Sequence, residues 1–569
     1  MRKLLAGQFL LFLIAPLTAF AQVPAGPEAR EALAGQYTGK AYSPYAQRGF
    51  PTFPLWGDTH LHTANSMDAG AFGNRLDIDQ AYRFARGEEV VASTGVPVKL
   101  SRPLDWLVVA DHSDNMGFFP DLLAGDPALL ADPTGKDWYD RINAGDGVNV
   151  ALEIIGMFSQ GEFPEAMMYR PDNPLYKNMW QKVIDTAEEF NDPGKFTAFI
   201  GFEWTSLIRG NNMHRVVMYR DGGAKASQTV AYTTYPPDGS PNPRDLWRWM
   251  DDYESRTGGD ILAIAHNGNL ANGIMFPLDA QFDGRTLDRE YVETRAKWEP
   301  AYETTQIKGD GETHPYLSPD DEFADYETWD VGNLDVSEAK TDEMLAGEYA
   351  REALKRGLQL ERRLGTNPYK FGQIGSTDSH TSLATAQEDN FFGKHTGYEP
   401  NPQRMEHPMF DTEAGKIDGW QLAASGLAAV YATENTREAI FDAFERKEVY
   451  ATTGSRMMVR FFGGFEFNEQ DVNSRAPAFA GYSKGVPMGG DLTGAQGRGR
   501  APTFMVYALR DPIGANLDRI QIVKGWMDGS GNTYEKVYDV AWSGDRRPGG
   551  DGKLPPVGST VDAANATWT

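Results

Sequence analysis

No cysteine occurs in the 569 residues. That absence excludes disulfides, thiolate nucleophiles, cysteine-held zinc and iron–sulfur clusters. It also excludes a lipid anchor carried on cysteine. Histidine is scarce, with nine in the chain, and the 54 basic residues fall well short of the 80 acidic ones, giving a formal charge of -26. Nucleic acid and anionic membrane surfaces both require basic patches, so neither is expected as the main partner. Beyond residue 21 no long uninterrupted apolar run occurs, so no membrane span is expected. Internal repeats and low-complexity tracts are also missing. Any metal must therefore be held by His, Asp and Glu.

What is present is enough apolar material for a large core. The chain is 41% hydrophobic and 12% aromatic, which excludes wholesale disorder. Arg2 and Lys3, an apolar run over residues 4–17, and Ala19-Phe20-Ala21 follow one another in the order of a bacterial signal peptide. Cleavage after residue 21 is expected, followed by a loose leader over 22–54. The mature protein is then expected in the periplasm or outside the cell.

Between residues 55 and 455 short apolar segments alternate with helical ones. Composition predicts strands over 104–110, 196–202, 216–219, 261–265 and 371–375. Helices are predicted over 79–87, 174–190, 243–253, 346–364 and 434–446, the last capped by Asn435 or Thr436. Strands separated by helices predict parallel βα units in an α/β layer or barrel. From 456 to 569 the texture changes to strands over 457–467, 502–509, 520–527 and 534–542 among Gly- and Pro-rich turns. A β-rich C-terminal region without helices is expected. Its end, at residues 566–569, reads as an interrupted strand and so as a shortened C-terminus. Acidic stretches at 251–254 and 320–325 read as solvated surface.

Several predicted strands end in polar clusters. In Trp56-Gly57-Asp58-Thr59-His60-Leu61-His62 the two histidines are two apart, so on a strand they face one side and can reach one ion. Thr377-Asp378-Ser379-His380 repeats that spacing. Asp111-His112 follows another strand; neighbours do not share a face, so His112 is the better ligand, with Asp111 orienting it or assisting proton transfer. Glu203 stands alone in Gly201-Phe202-Glu203-Trp204, with His214 opening the next strand, and His266-Asn267 closes a further one. Arg215 and Lys308 are candidate anion binders, and Asn267 and His314 candidate substrate contacts. His395 and His407, in a polar Pro- and Gly-rich stretch, read as surface residues.

Taken in order, HLH, ADHSD, GFEW, His214, AHNGN and TDSH resemble the PHP (polymerase and histidinol phosphatase) superfamily of metal-dependent hydrolases. The longer words WGDTHLHT, FIGFEWT and GSTDSH look like its large secreted branch, and the resemblance runs over about residues 53–455. It implies a distorted (βα)7 TIM-like barrel with two or three divalent metal ions at the C-terminal mouth. His60 and His62 would bind a first ion with Asp378 and Glu203. Glu203 would bridge to a second ion held by His214 and His266, and His112, His380 and Asp68 would take a third. Asp68 stands where several relatives have histidine. Nitrogen and oxygen donors without thiolate suit Zn2+, Mn2+ or Fe2+. The implied reaction is attack by a metal-bridging hydroxide on a phosphoester, phosphodiester or phosphonate ester of a small anionic substrate. Two other readings remain open at this point. The same cluster could hydrolyse an amide, lactone, carboxylic ester or sulfate ester, or the protein could bind without catalysis, its metals being structural. The oligomeric state is not legible.

Overall fold

Three short parallel strands form the middle and one edge of the first sheet, and the first of them carries His60. They are β1 (Leu55–Leu61), β2 (Trp106–Val109) and β3 (Thr197–Phe199), paired in that order. The computed structural model describes residues 49–396, 399–401, 408–411, 416–422, 425–494, 500–562 and 567–568. The chain divides into two units at Gly49/Phe50, and every strand and helix named belongs to the second. The expected signal peptide, residues 22–48 of the leader, His407, and residues 566 and 569 of the chain's end lie outside the described residues.

The single strand expected over 196–202 is two strands in two sheets. After Ile200 the chain enters β4 (Gly201–Trp204), followed by β5 (Arg215–Tyr219), β6 (Ile261–His266), β7 (Ala301–Gln306) and β8 (Gly309–Asp310), each paired with the next. Gly201 sits at the crossing. A β-carbon there would stand 2.5 Å from Val108 Cγ1 and 2.9 Å from the Val217 carbonyl, so no side chain fits. β9 (Gly372–Gly375) pairs parallel with β7. β10 (Leu427–Val430) and β11 (Val449–Thr452) extend the first sheet antiparallel beyond β1.

The result is mixed α/β, and the uniformly parallel arrangement expected from the sequence is broken. β5 runs antiparallel to both neighbours, because the ten residues between β4 and β5 form a short hairpin instead of a helical crossover. No ladder closes all strands into one ring among the described residues. Two single bridges, Leu61–Ser379 and His112–Glu203, join the sheets near the ends that carry the polar clusters.

Helices flank the sheets at all five stretches where periodicity predicts them, and at others where it does not. α1 (Met67–Ala71) and α2 (Ile78–Ala85) follow β1. α3 (Gly147–Gln160) and α4 (Pro174–Phe190) lie between β2 and β3. α4 starts with Asn173 accepting from Leu175 N and Pro174 in the first turn, then buries Tyr176, Trp180, Val183, Ile184 and Ala187 on one face. α5 (Pro243–Thr257), α6 (Ala350–Leu364) and α7 (Arg437–Glu445) are the remaining predicted helices, α7 being capped by Thr436.

In the C-terminal region β12 (Met458–Gly464), β13 (Gly485–Pro487) and β14 (Thr503–Leu509) form one sheet. β15 (Arg519–Met527) and β16 (Thr533–Trp542) form a hairpin. The expected absence of helices there does not hold. α8 (Pro477–Lys484) starts on proline and lacks an apolar stripe, yet Gly481 brings it against the Phe462 ring, where a β-carbon would stand 2.6 Å away. No helix among the described residues is long and apolar enough to cross a membrane.

Candidate metal centre

Asp58, in the middle of β1, ties the first two histidine motifs together. Its carboxylate accepts from His60 N at 2.9 Å, from Thr377 N at 3.1 Å, and from the Thr377 hydroxyl. Asp378 N donates to the His60 carbonyl at 2.7 Å, and His62 N to the Ser379 carbonyl at 2.9 Å. HLH and TDSH therefore run side by side. On the other flank, Glu203 N donates to the Asp111 carbonyl at 3.0 Å and Ser113 N to the Glu203 carbonyl at 2.8 Å, docking GFEW onto ADHSD. Asn267 (φ 47°) and Asp378 (φ 50°) hold left-handed backbone, which costs a non-glycine residue energy and concentrates at functional sites.

The carboxylate of Glu203 is the hub. Its Oε1 lies 2.7 Å from His214 Nδ1 and 2.7 Å from His266 Nε2. Its Oε2 lies 2.8 Å from His112 Nδ1, 3.2 Å from His62 Nε2 and 3.3 Å from His60 Nε2. His60 Nε2 and His62 Nε2 are 3.0 Å apart, with Asp378 Oδ1 at 3.7 and 3.4 Å from them. Donors at about 2.0–2.1 Å from a tetrahedral ion stand roughly 3.3–3.4 Å from one another, and these separations fall around that value. A neighbouring group holds Asp68 Oδ2 at 2.8 Å from His380 Nε2 and 3.3 Å from His112 Nε2, with His62 alongside. Two more groups whose donor atoms come within 4.8 Å of one another are His112, Glu203 and His214, and His60, His266 and Glu303.

Hydrogen bonding around the cluster decides whether these residues suit cations. His60 Nδ1 stands 3.1 Å from Glu303 Oε2. His62 Nδ1 stands 2.8 Å from Ser66 Oγ, which already accepts from His112 N and donates to Asp68 Oδ1. Both Nδ1 atoms have an acceptor for a proton, so in the neutral rings both Nε2 atoms turn lone pairs toward each other and toward Glu203 Oε2. Facing lone pairs in a buried site are relieved by a cation. His214 Nε2 and His266 Nδ1 are buried without a hydrogen-bond partner, as expected of donor atoms reserved for ions. The residues present fit divalent metals, and their second partners supply the fixed tautomers such ligands require.

Electrostatics divides the imidazoles. Burial pushes His62 and His266 down to about 4 and His214 down to about 3, leaving them neutral with lone pairs free. At His112 burial is outweighed by the charges of Glu203 and Asp68, which carry it up to about 10. At His60 burial is likewise outweighed by Glu303 and Glu203, which raise it. Glu203 and Asp68 stay ionised well below the usual carboxylate range: burial opposes this, but the surrounding imidazoles prevail.

The remaining expected residues fall in several places. Asp111 does not orient His112. Its carboxylate accepts from Thr63 N at 2.6 Å and Thr63 Oγ1 at 2.7 Å, bracing the chain after His62, while His112 Nδ1 meets Thr205 Oγ1 at 2.7 Å. Arg215 is not an anion binder. Its side chain points away from the cluster along β5 and is buried against Glu299 at 3.0 Å, because alternate strand residues face opposite sides. Asn267 accepts from Gln306 Nε2 at 2.7 Å, and His314 sits on Asp330 at 3.1 Å; neither lines the cavity beside the cluster. Lys308 does line it, bonded to Asp378 Oδ2. His395 is buried, not superficial, because Phe72 and His380 cover its ring at centroid distances of 4.3 and 5.0 Å.

Four cavity or cluster residues were not expected. Glu303 belongs to the all-buried strand Ala-Tyr-Glu-Thr-Thr-Gln, which lacks the apolar run that marks a strand in sequence. Lys394 is buried with its ammonium 2.7 Å from Asp378 Oδ1 and 2.8 Å from His380 Nδ1. Asp114 accepts from Thr234 N at 2.8 Å, its Oδ2 has no partner, and burial pushes its pKa up to about 7. Arg209 (φ 54°) and Gly210 (φ 81°) form the two-residue turn of a hairpin, a turn that requires positive φ at both positions. The exposed Arg209 lines the mouth of the cavity, and its guanidinium has no partner among the described residues.

Two sheets with a His–carboxylate cluster at their joined ends define a mixed α/β protein with a candidate multi-ion metal centre beside a cavity of about 460 Å³. The chain belongs to DUF3604, a family of proteins of unknown function, whose family model matches residues 50–569. Among solved structures it is similar to a two-domain protein from Bacteroides vulgatus described as containing a predicted PHP-like metal-dependent phosphoesterase. The TM-score is 0.25 and the identity 11%, over 71% of this chain and 65% of that one. This chain thus spans less than two thirds of the neighbour's length, and nothing about its chemistry is drawn from that likeness. No curated protein matches the sequence.

Proposed function

We propose that this chain is an exported metal-dependent hydrolase of a phosphoester, phosphodiester or phosphonate ester. The observation that carries the reading is one buried carboxylate, Glu203, within 3.3 Å of nitrogens from five imidazoles at the edge of a cavity. His60, His62 and Glu203, with Asp378 beside them, would hold one ion. Glu203 and His214, with His112 and His266 on the same carboxylate, would hold a second, and Asp68, His112 and His380 a third. Divalent ions in such a place supply Lewis acidity toward a substrate oxygen and bring the ionisation of water near neutral pH. The donor set admits Zn2+, Mn2+ or Fe2+.

The chain's own side chains supply the rest. Lys308 and Lys394 pair with Asp378 from either side and line the cavity; burial lowers both, Lys394 to about 7, and an anionic substrate would favour their protonated forms. Asp114 lines the same cavity with an unpartnered Oδ2, able to give or take a proton during departure of the leaving group. Burial of the histidine cluster keeps bulk water from these groups. The (βα)7 ring belongs to the same proposal, supported by the single bridges that join the two sheets. Export is supported by the basic start, apolar run and Ala-Phe-Ala of residues 1–21.

The test is a panel of 4-nitrophenyl phosphate, bis(4-nitrophenyl) phosphate, 4-nitrophenyl sulfate and 4-nitrophenyl acetate, with and without chelation. Chelator-sensitive turnover of a phosphorus ester is the expected result. Chelator-sensitive turnover of the sulfate or acetate alone overturns the phosphorus assignment.

A further inference from the structure

The lining of the cavity has two unlike parts. One is the histidine cluster with Lys308 and Lys394. The other is apolar, and Ile155, Phe158, Phe163 and Met168 bring to it part of the segment inserted between β2 and β3. On α3, Val150, Ala151 and Ile154 are buried in the core, while Ile155 and Phe158, three apart and so on one face, line the cavity. Phe158 packs on Phe163 at a centroid distance of 4.4 Å and on Tyr235 at 5.7 Å, and both of those rings line the cavity as well. Leu207, in the hairpin that carries Arg209, also lines it.

Ile155, Phe158 and Leu207 are only half-buried. Exposing such side chains to water forgoes the stabilisation that burial of an aromatic or branched aliphatic group brings. An apolar ligand group seated against them recovers it. The volume, about 460 Å³, lies within the range of small-molecule sites.

We propose that the cavity accepts an anionic ester whose organic group is bulky and apolar, an aryl or long or branched alkyl group packed against Phe158, Ile155 and Leu207. This rests on the hydrolase reading above, with the charged end of the ester turned toward the histidine cluster and lysines. Hydrolysis then breaks the bond between phosphorus and the organic oxygen. Water supplies hydroxyl to phosphorus and a proton to the departing phenol or alcohol.

The test is calorimetric titration of the full-length protein, with and without added Mn2+, by methyl-, butyl-, phenyl- and 1-naphthylphosphonate, which carry no hydrolysable ester. Affinity should rise with apolar area, about fourfold per buried methylene and at least about tenfold from methyl to phenyl. Phe158→Asn and Leu207→Gln, at half-exposed positions, should flatten that series while metal content is unchanged. Equal affinity for all four ligands, with turnover of phosphorus esters intact, overturns this inference and leaves the hydrolase reading standing. No binding of any phosphonate and no turnover of any ester overturns both. A steep series in the parent protein that both variants retain also overturns the assigned wall.

Discussion

Glu303 offers a sharp perturbation, because its carboxylate touches one imidazole nitrogen and leaves the other free for metal. His60 Nδ1 is 3.1 Å from Glu303 Oε2 and 3.4 Å from Oε1, while His60 Nε2 faces His62 and Glu203. Such a partner fixes the tautomer and raises the basicity of the ligand, and losing it costs about 10- to 100-fold in metal affinity. At about 1.36 kcal/mol per decade, that is roughly 1.4–2.7 kcal/mol. Glu303→Gln keeps an oxygen able to accept from Nδ1 and removes only the charge. The substitution should weaken one ion by that factor, measured by competition with a chromophoric chelator. Elemental analysis at saturating metal should show full stoichiometry restored. Unchanged affinity would refute the orienting role. An ion that does not return at saturation would show that Glu303 is itself a ligand, as its proximity to His266 also allows.

Asp68→Ala should remove the ion shared with His112 and His380 and leave the one on His60, His62 and Glu203, so elemental analysis should find a partial loss. Metal uptake should release at least one proton at pH 7.5. His112, held up to about 10 by Glu203 and Asp68 against its burial, is protonated there before an ion displaces its proton. Apparent affinity should accordingly rise about tenfold per pH unit for each proton released, up to about pH 10. Calorimetry in buffers of different ionisation enthalpy checks this, and pH-independent uptake would contradict it. Asp114→Asn should lower kcat by about 10²- to 10⁴-fold while metal content stays constant, as read from steady-state kinetics beside elemental analysis.

The ligands were legible because the chemistry leaves a spacing. His60 and His62 stand two apart on a strand, and Asp378 and His380 repeat the interval after β9. The strands leading to His266 and Asp378 were expected over 261–265 and 371–375, each within one residue of the strand found. Glu303 stayed hidden because its strand is buried yet polar, so hydropathy does not mark it. Lys394 and His395 stayed hidden for a different reason. Their local sequence is that of a surface loop, and only the return of that loop across His380 and Phe72 buries them. Arg215 misled because adjacency to His214 in sequence places it on the opposite strand face. The helix α3 went unpredicted, and with it the apolar wall, since its Ile and Phe residues divide between core and cavity instead of forming one stripe.

The central claim is that the Glu203-centred cluster is a metal site. Elemental analysis by plasma mass spectrometry on protein purified without added metal or chelator tests it most directly, alongside His60→Ala with its fold checked by circular dichroism. More than one equivalent of zinc, manganese or iron per chain in the parent, and a loss of metal in the variant, is the predicted result. A parent protein with only trace metal that stays metal-free on dialysis against Zn2+, Mn2+ or Fe2+ would contradict it.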